Sequence, residues 1–264
     1  MRKRKKVMKS DSYTIDYGYS SHIGQRQQNQ DALRVSSESV SLNGKGRLFA
    51  VADGMGGHPG GEIASRLACS GLSKYYKKKI NQQGALRPTD VSRHLAEVII
   101  RIDRHIRLVG LKDNKLEDMG TTLSCLVVTD TSSIIAHVGD SRIYRLRNGH
   151  LTCLTVDHTF VQDMIFEGEV DPDRAHLHSL RHMLTRAVGT GEPLELVDSR
   201  IDPLKTKDGF LLCSDGLYNT LTSSCILDLL SRHILASETA TELVLQAMQN
   251  GAHDNITALV IRIK

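Results

Sequence analysis

Apolar residues recur along this chain with two different periods. Short runs that alternate or stay apolar, bounded by glycine, asparagine and aspartate, predict strands over 13–19, 32–40, 47–52, 121–128, 134–138, 141–147, 150–156, 194–201, 209–213 and 256–263. Asn148-Gly149 predicts a two-residue type I′ hairpin, because that turn needs positive φ at both positions. Asn43-Gly44-Lys45-Gly46 predicts a second hairpin loop. Helical spacing marks Ile63, Leu67, Ala68, Leu72, Tyr75 and Tyr76, and again Val91, Leu95, Val98, Ile99, Ile102, Ile106 and Val109. A third helix is predicted over 238–249, with Ala240, Leu243, Val244, Ala247 and Met248 on one face and Ser237 as its N-cap. Between 158 and 190 the pattern loosens into short helical pieces rich in His, Asp and Arg, which reads as an insertion over a sheet.

Strands and helices therefore come in blocks. Blocks favour antiparallel sheets covered by helices, an α+β architecture, over the βαβ alternation of a parallel sheet. The 264 residues fit one large domain, and 40% hydrophobic content supplies a core built from Leu, Ile, Val and Ala, with no tryptophan. Aromatics at 4% argue against a base-stacking nucleic-acid platform. The net charge of +4 is concentrated at the start, where Arg2, Lys3, Arg4, Lys5, Lys6 and Lys9 fall within ten residues; without them the remainder carries −2. Residues 1–11 read as a basic, disordered tail and 12–264 as a single domain. No apolar stretch follows the tail to make a secretory signal, and none approaches a membrane span, so a cytoplasmic monomer is expected. Five widely spaced cysteines without a C-x-x-C pair read as buried free thiols, not a disulfide frame or a zinc site.

The candidate chemistry lies in four aspartate-centred segments: Asn29-Gln30-Asp31, Asp53-Gly54-Met55-Gly56-Gly57, Ser214-Asp215-Gly216 and His253-Asp254-Asn255. Three of them adjoin apolar runs with strand character. A lone Asp-Gly is ordinarily a turn. Repeated carboxylates at strand ends, beside glycines that let backbone approach, instead fit a site for Mg²⁺ or Mn²⁺, which take oxygen ligands including a carbonyl such as that of Gly54. A water shared by two such ions becomes a nucleophile near neutral pH, and its natural electrophile is a phosphate ester. Arg26, four residues before Gln30, offers a planar fork to phosphate oxygens.

Seven ordered stretches carry a family resemblance. They are Arg26-Gln-Gln-Asn-Gln-Asp31, Phe49-Ala-Val-Ala-Asp-Gly-Met-Gly-Gly-His58, Met119-Gly-Thr-Thr122, Val138-Gly-Asp-Ser-Arg142, Leu184-Thr-Arg-Ala-Val-Gly189, Leu212-Cys-Ser-Asp-Gly-Leu217 and Asp254-Asn-Ile-Thr257. The chain resembles the metal-dependent Ser/Thr protein phosphatases of the type 2C (PPM) family, bacterial branch. The resemblance implies a four-layer αββα sandwich of two antiparallel β-sheets flanked by helices. It implies that Asp53 bridges two Mn²⁺ or Mg²⁺ ions, that the Gly54 carbonyl, Asp215 and Asp254 complete the direct ligands, and that Asp31 acts through metal-bound water. Arg26 would hold the substrate phosphate. Asp118 would share a third, weaker ion with Asp215, and about 155–190 would be the flap that helps choose substrates. The expected partner is a phosphoserine or phosphothreonine protein, dephosphorylated in opposition to a Ser/Thr kinase.

Two positions depart from the family pattern. Gln30 replaces a common Glu, which makes a charged neighbour of the ions neutral. Met55 stands where eukaryotic members carry a His proposed as general acid, and a thioether donates no proton; His58 is the nearest histidine in sequence. Asp140-Ser141-Arg142 reads as a turn with buried polar bonding, His176, His178 and His182 as solvated flap residues, and Asp157-His158 as the cap of the flap's first helix. The rival readings are a phosphoprotein-binding scaffold without turnover, against which the intact aspartates argue, and nucleic-acid or membrane association through the tail.

Overall fold

Runs of β-branched and aliphatic residues at Leu48–Ala52, Leu123–Val128 and Ile256–Ile263 leave almost no polar face, so they must be covered on both sides; two stacked sheets between helices provide that. A computed structural model of the chain describes residues 13–36, 46–55, 60–80 and 87–264. The expectations for the basic tail, for most of the 43–46 loop and for His58 lie outside these residues.

The first sheet contains β1 (Ile15–His22), β11 (Ile256–Ile263), β10 (Gly209–Cys213), β7 (Arg142–Arg147) and β8 (His150–Cys153), in that order. The second runs β2 (Asp31–Val35), β3 (Arg47–Met55), β5 (Leu123–Val128), β6 (Ser132–Val138) and β9 (Asp198–Pro203), with the short β4 (Gly120–Thr121) on the end of β3. Every pairing is antiparallel. Helices α1 (Gly60–Ile80) and α2 (Pro88–Gly110) cover the second sheet through Ala64, Ala68, Leu72, Leu95, Ile99 and Ile106. Helices α5 (Ser223–Ser231) and α6 (Ala236–Gln249) cover the first through Ile226, Leu230, Ala240, Leu243 and Ala247. Between the sheets Phe49, Leu126, Ile143, Phe210, Leu212, Leu259 and Ile261 form a third core. Each fully buried Leu, Ile or Phe contributes about 1.5–3 kcal/mol relative to exposure. The layers are thus αββα. Among the described residues no helix is long and apolar enough to cross a membrane. All five cysteines are free; Cys69, Cys125 and Cys213 are buried, whereas Cys153 is exposed.

Several local expectations need correction. The strand over 121–128 breaks at Thr122, whose N–H donates to the Asp53 carbonyl and whose Oγ1 accepts from the Asp53 N–H. The strand predicted from 194 starts at Asp198, because the Leu194 N–H is taken by the Asp103 carboxylate of α2. Ser237 lies inside α6 and does not cap it; the helix begins at Ala236, and the Glu238 carboxylate accepts from the N–H of Leu235, the capping position. Thr159, not Asp157-His158, caps α3 (Phe160–Phe166), its Oγ1 accepting from the Gln162 N–H. Asn148 and Gly149 do adopt positive φ, 53° and 76°, as the type I′ turn requires.

Candidate active site

The site grows from the adjoining ends of the two sheets. Antiparallel register sets Asp31 of β2 opposite Asp53 of β3 in one sheet. Ser214 and Thr257, at the ends of β10 and β11 in the other, donate their hydroxyls to Asp31 Oδ2 at 2.7 and 2.6 Å. Asp31 thereby fastens the two layers together; it does not itself line the adjoining cleft. Its Oδ1 is buried without a hydrogen-bond partner. Burial outweighs the two hydroxyl donors and pushes this carboxyl up to about 6.

Asp53 is held by its backbone. Its N–H donates to Thr122 Oγ1 at 2.9 Å, and its carbonyl accepts from Thr121 Oγ1 at 2.9 Å and the Thr122 N–H at 2.8 Å. Beside it, a Cβ on Gly54 would meet the Gly61 carbonyl oxygen at 2.1 Å and that of Gln30 at 2.8 Å, so only glycine brings the chain this close. Burial, then the carboxylates of Asp31, Asp215, Asp140 and Asp254, raise the Asp53 carboxyl well above its ordinary range. Asp215 opens the short helix α4 (Asp215–Tyr218) directly after β10. Burial, then Asp140, Asp254 and Asp31, raise it likewise, with Arg26 pulling the other way.

Asp254 precedes β11. Its Oδ2 accepts from the Arg26 guanidinium at 2.7 Å and its Oδ1 from the Asn255 N–H at 2.8 Å. The Asn255 side chain holds the loop that carries Arg26, donating to the carbonyls of Ile23 and Gln28 and accepting from the Gln30 N–H. Arg26, Asp53, Gly54, Asp215 and Asp254 line one cleft of about 1570 Å³. Asp118 is exposed and is not among the lining residues.

Two residues read as a polar turn and a solvated flap position, Asp140 and His182, belong to the site, and a third, Asp103, was missed. Asp140 lines the cleft, its carboxyl pushed up to about 7 by burial and then by Asp157. His182 is not simply solvated: it lines the cleft, with Nδ1 3.7 Å from Asp215 Oδ2. Asp103, buried on α2, accepts from the N–H groups of Gly189 and Leu194 at 2.8 and 3.2 Å, while Arg107 donates to the Gly191 carbonyl. These bonds pin the 189–194 rim of the cleft to the helix. The notion of a functional Asp140 was available from its motif; the other two depend on folding that no local pattern encodes.

The donors suit hard divalent cations. They are all oxygens, one is an orphaned buried carboxylate oxygen, and the carboxylates raise each other's pKa values as a cluster short of positive charge does. Among the described residues no three acidic, His or Cys groups close into a preassembled cage.

Residues 19–250 match the family described as protein phosphatase 2C. The chain is 36% identical over 214 residues to the serine/threonine phosphatase stp of Listeria monocytogenes, covering 81% of this chain and 83% of that one. It superposes on the crystal structure of serine/threonine phosphatase Stp1 from Staphylococcus aureus with TM-score 0.86 at 27% identity, covering 99% of each chain. It also superposes on the catalytic domain of serine/threonine protein phosphatase PstP in complex with 2 manganese ions, with TM-score 0.80 at 31% identity, covering 96% of this chain and 99% of that one. Fold, motif order and donor set agree with these similarities, and the chain belongs to the protein phosphatase 2C family as a metal-dependent serine/threonine protein phosphatase of the bacterial branch.

Proposed function

We propose that Asp53, the Gly54 carbonyl, Asp215 and Asp254 would hold two Mn²⁺ or Mg²⁺ ions directly, with Asp31 acting through water. The reading is carried by the gathering of Asp31, Asp53, Asp215 and Asp254, from four separate segments, into one mutually perturbed cluster. When bound, the ions would supply a water made nucleophilic near neutral pH and positive charge against the phosphoryl oxygens beyond that of the cleft's arginines.

The chain's own residues do the rest. The Arg26 side chain, 59% exposed beside Asp254, has guanidinium donors free to receive the phosphate of a phosphoserine or phosphothreonine protein. Ser214 and Thr257 orient Asp31, and Thr121 and Thr122 fix the backbone from which Asp53 projects. Met55 lines the cleft and donates no proton; among the described residues the histidines that line it are His182 and His253. A third, weaker ion between Asp118 and Asp215 rests on the family resemblance alone. Residues 12–264 act as one catalytic domain, because both sheets share the central core. The segment over 155–190 acts as a flap, since Arg181, His182, Leu184, Thr185 and Arg186 form one side of the cleft. The substrate is the product of a Ser/Thr kinase, met by a monomeric phosphatase. The test is hydrolysis of p-nitrophenyl phosphate and phosphoserine or phosphothreonine peptides with Mn²⁺. Turnover is expected to vanish in EDTA and in Asp215→Asn, and activity that survives EDTA would overturn the reading.

A further inference from the structure

The turn joining β6 to β7, residues 139–142, makes polar contacts in two directions. Toward the flap, the Gly139 N–H donates to His158 Nδ1 at 3.0 Å and the His158 N–H returns a bond to the Gly139 carbonyl at 2.9 Å. Arg142 grips the Asp157 carboxylate with two nitrogens, Nε at 3.0 and 3.1 Å and Nη2 at 2.6 Å. The returning leg of the flap is tied to the same root, since the Thr185 N–H donates to the His158 carbonyl and the Phe160 N–H to that of Met183. Toward the site, Ser141 Oγ lies 2.6 Å from Thr122 Oγ1, the acceptor for the Asp53 N–H. Tyr218, the last residue of the helix that Asp215 begins, donates its hydroxyl to the Asp140 carbonyl at 3.1 Å. The Arg142 guanidinium lies over the Tyr218 ring, 3.7 Å from its centre.

We infer that Arg142 is a positioning residue that couples the flap root, through Asp157, to the helix carrying Asp215, through Tyr218; the inference rests on Asp215 being a metal ligand. One planar group uses its edge for Asp157 and its face for Tyr218. Its orientation is therefore fixed from both sides, and a displacement of the flap root must be taken up by the aromatic ring and the helix it belongs to. Lysine, a point charge on a flexible stem, cannot hold both contacts at once. Asp157 does not line the catalytic cleft, and it reaches the site by two routes, its charge on Asp140 and this linkage; Arg142→Lys leaves every charge in place and so reads the linkage alone. Coupling of this kind is reciprocal: ion occupancy sets the flap root, and a substrate that engages the flap tightens the ions.

The experiment is calorimetric titration of the full chain with Mn²⁺, with kcat and KM measured in parallel on a phosphoserine peptide. Asp157→Asn is expected to weaken Mn²⁺ binding about fivefold, the lower end of coupling between linked sites. Arg142→Lys is expected to match it, the double variant to show no further loss, and Asp157→Glu to recover most of the affinity. Mn²⁺ affinity unchanged in Asp157→Asn, or losses that multiply in the double variant, would overturn the inference alone. Wild-type protein that binds no Mn²⁺ would overturn the ion reading and this inference with it. Should Arg142→Lys fail to fold, Tyr218→Leu, which removes the ring under the guanidinium and leaves every charge in place, decides instead, and unchanged Mn²⁺ affinity there would overturn the inference.

Discussion

Asp31→Asn tests the electrostatics of the site without reference to catalysis. In the metal-free protein the Asp31 carboxyl is raised from 3.8 to about 6, chiefly by burial. A raised carboxyl binds its proton more tightly in the folded than in the unfolded chain. The resulting penalty on the folded state is absent below about pH 3.8, grows as pH rises, and is complete above about pH 6. A shift of roughly two units corresponds to about 3 kcal/mol. Asparagine keeps an oxygen to accept from Ser214 and Thr257 and carries no charge, so the penalty disappears. Urea unfolding in EDTA is expected to find Asp31→Asn more stable than wild type by about 2–3 kcal/mol at pH 8, with the difference vanishing toward pH 4. Adding Mn²⁺ is expected to close or reverse the gap, because a ligand at a hundred times its Kd stabilises the folded state by about 2.7 kcal/mol. A stability difference that is the same at pH 8 and pH 4 would refute the reasoning, since it would show that the ionised carboxylate is not the source of the strain.

Two further substitutions probe the backbone and the phosphate clamp. Gly54→Ala places a methyl 2.1 Å from the Gly61 carbonyl oxygen, so β3 and α1 must part; a loss of about 1–3 kcal/mol in urea unfolding and of measurable Mn²⁺ binding is expected, and a near-neutral result would mean the close approach is dispensable. Arg26→Ala is expected to raise KM for p-nitrophenyl phosphate about tenfold, the low end for a lost hydrogen bond to a charged group, and an unchanged KM in steady-state kinetics would remove Arg26 from substrate binding.

The layers of this fold were legible where one local pattern dictates one answer. The apolar run at Ile256–Ile263 became β11 with those limits, and Asn148-Gly149 made the hairpin its residues require. The four aspartates were legible because each stands at the end of a strand or two residues from one. What stayed hidden depends on partners far away in the chain. Leu194 looks like the start of a strand until Asp103, ninety-one residues earlier, claims its N–H. His182 looks solvated until folding brings it within 3.7 Å of Asp215. Asp140-Ser141-Arg142 was read as a polar turn, and it is one, but that its bonds reach both Asp157 and Tyr218 of α4 follows only from the way these segments pack.

The anchoring of residues 189–194 on Asp103 and Arg107 gives the cleft two unlike lips. One lip is bolted to a twenty-three-residue helix and inherits its stiffness. The other is a stretch of brief turns hung from its own two ends. Natural variation, or a deliberate transplant of residues 160–180, can therefore remodel the second lip while the first keeps its shape, and it leaves Arg181, His182 and the Arg142–Asp157 pair in place.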